Sequence, residues 1–144
     1  MQKGVIHICV LALLLVSDVI RPVSAIADNS KVLWQECHPY ERRITCVVDG
    51  DTLWYQGIKI RLLDIDAPEV EGHCVNERQL AQSGTFELTR LLNTGLVRIT
   101  YDGQDRYGRH LATLLVREGE VGPAMVAAGL AVPFGQRGPS PWCR

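Results

Sequence analysis

The chain carries no excess of positive charge: 15 lysines and arginines stand against 16 aspartates and glutamates, a formal net charge of −1 at pH 7. A protein that grips nucleic acid through bulk electrostatics is usually basic, so any phosphate binding here must be local, through a few placed cations. No apolar run reaches the ~20 residues that a membrane span needs, because Asp18, Arg21 and Pro22 interrupt the apolar start. The C-x2-C and H-x3-H spacings of common zinc modules are missing, although His38 follows Cys37 and His73 precedes Cys74. Asp49-Gly50-Asp51 lacks the later ligands of an EF-hand loop. There are no repeats and no low-complexity tracts.

The first residues read MQKGVIHICVLALLLVSDVIRPVSAIADNS. Lys3 supplies a positive n-region, residues 4–16 an uncharged apolar core, and Ser24-Ala25-Ile26-Ala27 the small residues of a cleavage site. The expectation is a signal peptide over 1–27, cut after Ala25 or Ala27, and an exported protein, periplasmic or extracellular, free of the membrane once cut. Residues 28–144 are then a single domain of 117 residues, read as a monomer without a stable protein partner. Losing Lys3, Arg21 and Asp18 leaves 13 basic and 15 acidic residues, and only Lys31 and Lys59 of the basic ones are lysines. Arginine's planar fork suits phosphate oxygens. Four cysteines remain, Cys37, Cys46, Cys74 and Cys143, and an even count in an exported chain favours disulfides over metal. Of the three pairings, Cys37 with Cys46 and Cys74 with Cys143 is the first to test.

Hydrophobic periodicity gives the architecture. RITCVV (43–48) reads as a strand, Asp49-Gly50 as a hairpin turn and Thr52–Tyr55 as the return. After Gln56-Gly57, Ile58, Ile60 and Leu62 alternate with Lys59, Arg61 and Leu63, which turns Arg61 away from the core, and Ala67-Pro68 ends the strand. Asn76 is the expected N-cap of a helix to about Leu92 with Leu80, Gly84, Leu88, Leu91 and Leu92 on one face. Leu96–Tyr101 and Arg109–Val116 read as two more strands around the loop DGQDRYG, Pro123 opens a short helix to Gly129, and the Gly/Pro-rich tail is expected to be irregular. The expected fold is mainly β with helices (α+β): a five-stranded OB-fold barrel with a helix between strands 3 and 4 and a short C-terminal helix.

Chemistry concentrates in VVDGDTLWYQGIKIRLLDIDAPE (47–69), where five acids surround Arg61. Asp51 after the first turn and Asp66 after the third strand can reach one end of the barrel, making a hard oxygen site suited to Ca2+ or Mg2+. Glu69, three residues on and past a proline, is placed to orient or deprotonate a water there. Arg61 and Arg109 supply guanidinium charge for a crowded phosphorus centre. Each of these residues alone has a plainer reading, as a turn former, a solvated glutamate or a surface arginine. Together they describe a metal-dependent phosphodiesterase.

DGDT (49–52), RLLDIDAPE (61–69), DRYGR (105–109) and VAAGLA (126–131) resemble, in order and spacing, the staphylococcal nuclease or thermonuclease family. The resemblance spans roughly residues 43–132. It implies an OB-fold and Ca2+-dependent hydrolysis of DNA and RNA at the 5′ P–O bond, leaving 3′-phosphates. It implies Asp51, Asp66 and the Ala67 carbonyl as Ca2+ ligands, Glu69 acting on the attacking water, Arg61 and Arg109 on the phosphate, and Arg106 and Tyr107 near a terminal phosphate. The chain departs from the pattern at Ala67, where a threonine is common, and after GLA, where Val132-Pro133-Phe134 replaces base-flanking tyrosines. The rival reading is a non-catalytic OB-fold module that binds nucleic acid or another polyanion.

Overall fold

The structure, a computed structural model, describes residues 32–136 and 141–143. The expected signal segment 1–27 and part of the C-terminal tail lie outside the described residues. The elements are β1 (Cys46–Asp49), β2 (Thr52–Tyr55), β3 (Ile58–Leu62), β4 (Ile65–Asp66), α1 (Val75–Gly95), β5 (Leu96–Gln104), β6 (His110–Val116), β7 (Gly119–Glu120), α2 (Val121–Ala127) and β8 (Val132–Pro133).

The main sheet runs β1-β2-β3-β6-β5, with β7 added to β6. All neighbours are antiparallel except β3 and β6. A parallel pair needs a long crossover, and α1 with β5 provides it. This is an α+β molecule with the strand order of an OB-fold, and among the described residues no ladder joins β1 to β5. The β2–β3 hairpin turns through Gln56 (φ 51°) and Gly57 (φ 80°), the pair of positive φ values that matches strand twist in a two-residue turn.

The alternation in β3 holds for Ile60 and Leu62, which are buried with Arg61 on the other face, whereas Ile58 at the strand's start is exposed. On α1 the buried residues Ala81, Thr85, Leu88 and Leu92 recur at helical spacing against the sheet, whereas Leu80 is only half-buried. Several details differ from expectation, among them β5, which runs on to Gln104 through the start of the expected loop, and α2, which starts at Val121, ahead of Pro123. The first strand begins at Cys46, because residues 37–46 are closed into a disulfide loop. The lead-in bearing Trp34 is part of the core: Trp34 is 3% exposed, stacks on Tyr55 at 5.6 Å, and has its N–H and C=O both bonded by the Asn93 side chain. The N-cap of α1 is Cys74, whose sulfur accepts from the Glu77 N–H, and Asn76 instead donates to the Trp142 carbonyl. The tail forms β8, paired with β4 through Asp66↔Val132 and Ile65↔Pro133.

The disulfides are Cys37–Cys46 and Cys74–Cys143, with Cα separations of 4.9 and 5.7 Å. No helix among the described residues is long and apolar enough to cross a membrane.

Candidate active site

Asp51 stands in the β1–β2 turn. The turn is closed locally by Asp49, whose carboxylate accepts the Asp51 N–H at 3.1 Å. Asp51 is 6% exposed, and its two oxygens accept from the Thr52 hydroxyl and the Ala67 N–H, each at 2.9 Å. The second bond ties the turn to the segment leaving β4, which carries Asp66. Burial, then the charge of Asp49, push the Asp51 carboxyl up to about 6, against the opposing pull of Arg61.

Arg61 bridges the two acids. Its guanidinium lies 3.1 Å from Asp51 Oδ2 and 2.7 Å from Asp66 Oδ1, and it also donates to the carbonyls of Leu62 and Ile65. The two carboxylates therefore converge on one guanidinium. Glu69 reaches solvent just beyond them; partial burial, then the charges of Asp51 and Asp66, raise its pKa.

Arg109 is held apart from this cluster by its own loop. Asp105 accepts the N–H groups of Tyr107 and Arg109 and the Arg109 Nε at 2.7 Å. Burial pushes the Asp105 carboxyl up, but these bonds and the Arg109 charge outweigh it and hold the group below the ordinary aspartate range. Arg106 and Arg109 both lie over the Tyr107 ring, at 4.9 and 5.6 Å. Arg61, Asp105, Arg106, Tyr107 and Arg109 line one cleft of about 370 Å3 together with the apolar side chains of Leu63, Leu111 and Phe134. Phe134 faces Arg61 at 5.9 Å.

Residues 59–140 match the family described as staphylococcal nuclease homologue. The chain belongs to that family. Its relatives include a protein of Escherichia coli O157:H7 described as an uncharacterized endonuclease, 32% identical over 110 residues, 73% of this chain and 68% of that protein. A protein of Haemophilus influenzae with the same description is 32% identical over 99 residues, 65% of this chain and 52% of that one. The succinoglycan biosynthesis protein ExoI of Rhizobium meliloti is 32% identical over 92 residues, 60% of this chain and 48% of that protein.

Membership of the staphylococcal nuclease family raises the question of a hard divalent cation, and the donor set fits one. Asp51 and Asp66 offer converged carboxylate oxygens, and a buried carboxylate that ionises at a cost is stabilised by a cation beside it. A second convergence, Cys74, Glu77 and Cys143, does not fit, because its two sulfurs are bonded to each other.

The structure brings Asp51, Asp66 and Arg61 into direct contact, sets Glu69 beside them, and puts Arg106, Tyr107 and Arg109 with Arg61 around the cleft. Sequence reasoning leaves Thr52, Asp105 and Phe134 without roles. The first two were signalled by their places in DGDT and DRYGR; Phe134 had no signal, since its position depends on the β4–β8 pairing.

Proposed function

We propose that this chain is an exported, Ca2+-dependent nuclease that hydrolyses phosphodiester bonds of DNA or RNA with low sequence specificity and leaves 3′-phosphates. The observation that carries the reading is that Arg61 belongs both to the carboxylate pair and to the wall of the arginine-lined cleft, so a phosphate in the cleft would meet the acids. Asp51 and Asp66, with the Ala67 carbonyl, would hold Ca2+, which supplies positive charge beside the scissile phosphate. Glu69 takes the proton of the attacking water, and its raised proton affinity suits that task. Arg61 and Arg109 stabilise charge on the phosphate oxygens as the 5′ oxygen departs. Arg106 and Tyr107 bind a neighbouring phosphate. Beside its arginines the cleft presents Tyr107, Leu63, Leu111 and Phe134, which offer sequence-tolerant stacking surface and so support low specificity. Two disulfides support export to an oxidising compartment.

The test is degradation of single-stranded DNA by the oxidised protein lacking residues 1–27, at low salt, with Ca2+ and then with a chelator. Cleavage that requires Ca2+, leaves phosphatase-sensitive 3′ ends and disappears in Glu69→Gln is the expected result. A well-folded protein that binds the strand without cutting it would replace this reading with a binding module.

A further inference from the structure

Eight residues, 67–74, connect β4 to α1 and carry Glu69. One end is pinned at the acid pair by the Ala67 N–H to Asp51 bond and by the fully buried Pro68. Glu69, Val70 and Glu71 are exposed, so the loop's course depends on its other end. There Glu77 is 4% exposed, unusual for a glutamate in the first turn of a helix. Its Oε2 accepts the His73 N–H at 2.9 Å and lies 3.3 Å from Cys143 Sγ. The Glu77 N–H in turn donates to the sulfur of Cys74, the N-cap, half of a capping box built on cysteine, while the carboxylate takes the amide of the residue before the cap instead of the cap's own. Gly72 confirms how closely the loop wraps this side chain. A Cβ there would meet Glu77 Cγ at 2.5 Å and the Glu69 carbonyl at 2.8 Å. The Gly72 N–H closes a turn onto that same carbonyl, and Arg78 holds the Gly72 carbonyl.

We propose that Glu77 is a positioning residue for Glu69: its buried carboxylate, set between the His73 amide and the Cys74–Cys143 disulfide, fixes the loop that presents Glu69 to the acid pair. The proposal rests on the reading of Glu69 as the group that acts on the attacking water. A plain helix cap would account for stability alone. Here the cap's acceptor is spent on the loop preceding the helix, and the hydrogen-bonded turn Glu69–Gly72 transmits that anchor to Glu69.

The experiment compares Glu77→Gln, which keeps an acceptor oxygen, with Glu77→Leu, which keeps bulk only, in the oxidised protein lacking residues 1–27. Because small misplacements of reacting groups are costly, Glu77→Leu should lower kcat on single-stranded DNA by about tenfold or more. KM should stay within about twofold, since the arginine cleft lies on other elements. Glu77→Gln should restore most of the turnover, and the His73 amide should lose hydrogen-exchange protection in the leucine variant only. Native kcat in a folded Glu77→Leu protein, a loss confined to KM, or failure of glutamine to rescue would each overturn the proposal. If the leucine variant does not fold, Glu77→Asp, one methylene too short to reach His73, should show the same loss of kcat, and native turnover there would overturn it. Full activity in Glu69→Gln would remove the underlying reading instead, while the amide comparison would still report whether Glu77 holds the loop.

Discussion

Asp51 is ionised at neutral pH against its surroundings. Its folded-state pKa, about 6, lies above the ordinary 3.8, so the fold favours its protonated form. That contribution is fully present below the unfolded value and is lost as the pH rises through about 6. Asp51→Asn should therefore outlast the parent at pH 8 with divalent ions chelated, by up to about 3 kcal/mol, and the two should converge near pH 4. Thermal melts at the two pH values check this; equal stability at pH 8 would mean that Arg61 compensates the charge fully. The arginines should separate in a similar comparison. Arg61→Ala leaves Asp51 and Asp66 without their shared guanidinium and two carbonyls without their donor, so both activity and melting temperature should fall. Arg109→Ala breaks one partly exposed pair with Asp105, worth little to the fold, so activity should fall by orders of magnitude with little change in melting. At this scale the sequence is informative about which residues are charged and in what order. Alternation in β3 tells which face Arg61 occupies, but not that both acids would fold back onto it, since that depends on the short β4.

Two glycines set how closely α1 approaches the β1–β2 turn. A Cβ built on either Gly50 in the turn or Gly84 on the helix would stand 3.5 Å from the other's Cα, and one on Gly50 would also stand 2.9 Å from Ala67 Cβ. A Cβ on Gly84 would meet only ordinary contacts of 3.5–3.8 Å. The two alanine substitutions should thus act in opposite directions. Gly84→Ala should gain about 0.5–1 kcal/mol from helix propensity at unchanged activity. Gly50→Ala must push Asp51 away from Ala67, and should lose both stability and turnover. Denaturant melts with activity on the same samples check the pair. Longer elements were legible because their periodicity repeats: α1 from its leucine stripe, β3 from alternation. β4 and β8 were not, since two residues carry no period and Pro133 argues against a strand. The Cys74 cap was hidden for a different reason, as cysteine is not among the favoured caps.

On the scale of the whole molecule, the two disulfides divide stability from activity. The Cys37–Cys46 loop packs on the β2–β3 turn, where the Gly57 N–H donates to the Ile44 carbonyl and the Gln56 N–H to the Thr45 hydroxyl. Asp51 lies at the opposite end of β2, in the β1–β2 turn. Cys74–Cys143 spans 69 residues against 9 for the other bond, and it adjoins the loop that bears Glu69. Chain-entropy reasoning gives the longer closure about 4 kcal/mol and the shorter about 3 kcal/mol. Replacing Cys37 and Cys46 together by serine should lower the melting temperature while leaving kcat near the parent's below the transition. Replacing Cys74 and Cys143 should cost more stability and also reduce kcat, because it frees the chain end and the N-cap beside the Glu69 loop together. Melting curves and turnover for the two double variants, measured at one temperature below both transitions, separate these effects. Equal kcat in the two would mean that the second bridge serves only to hold the chain's end.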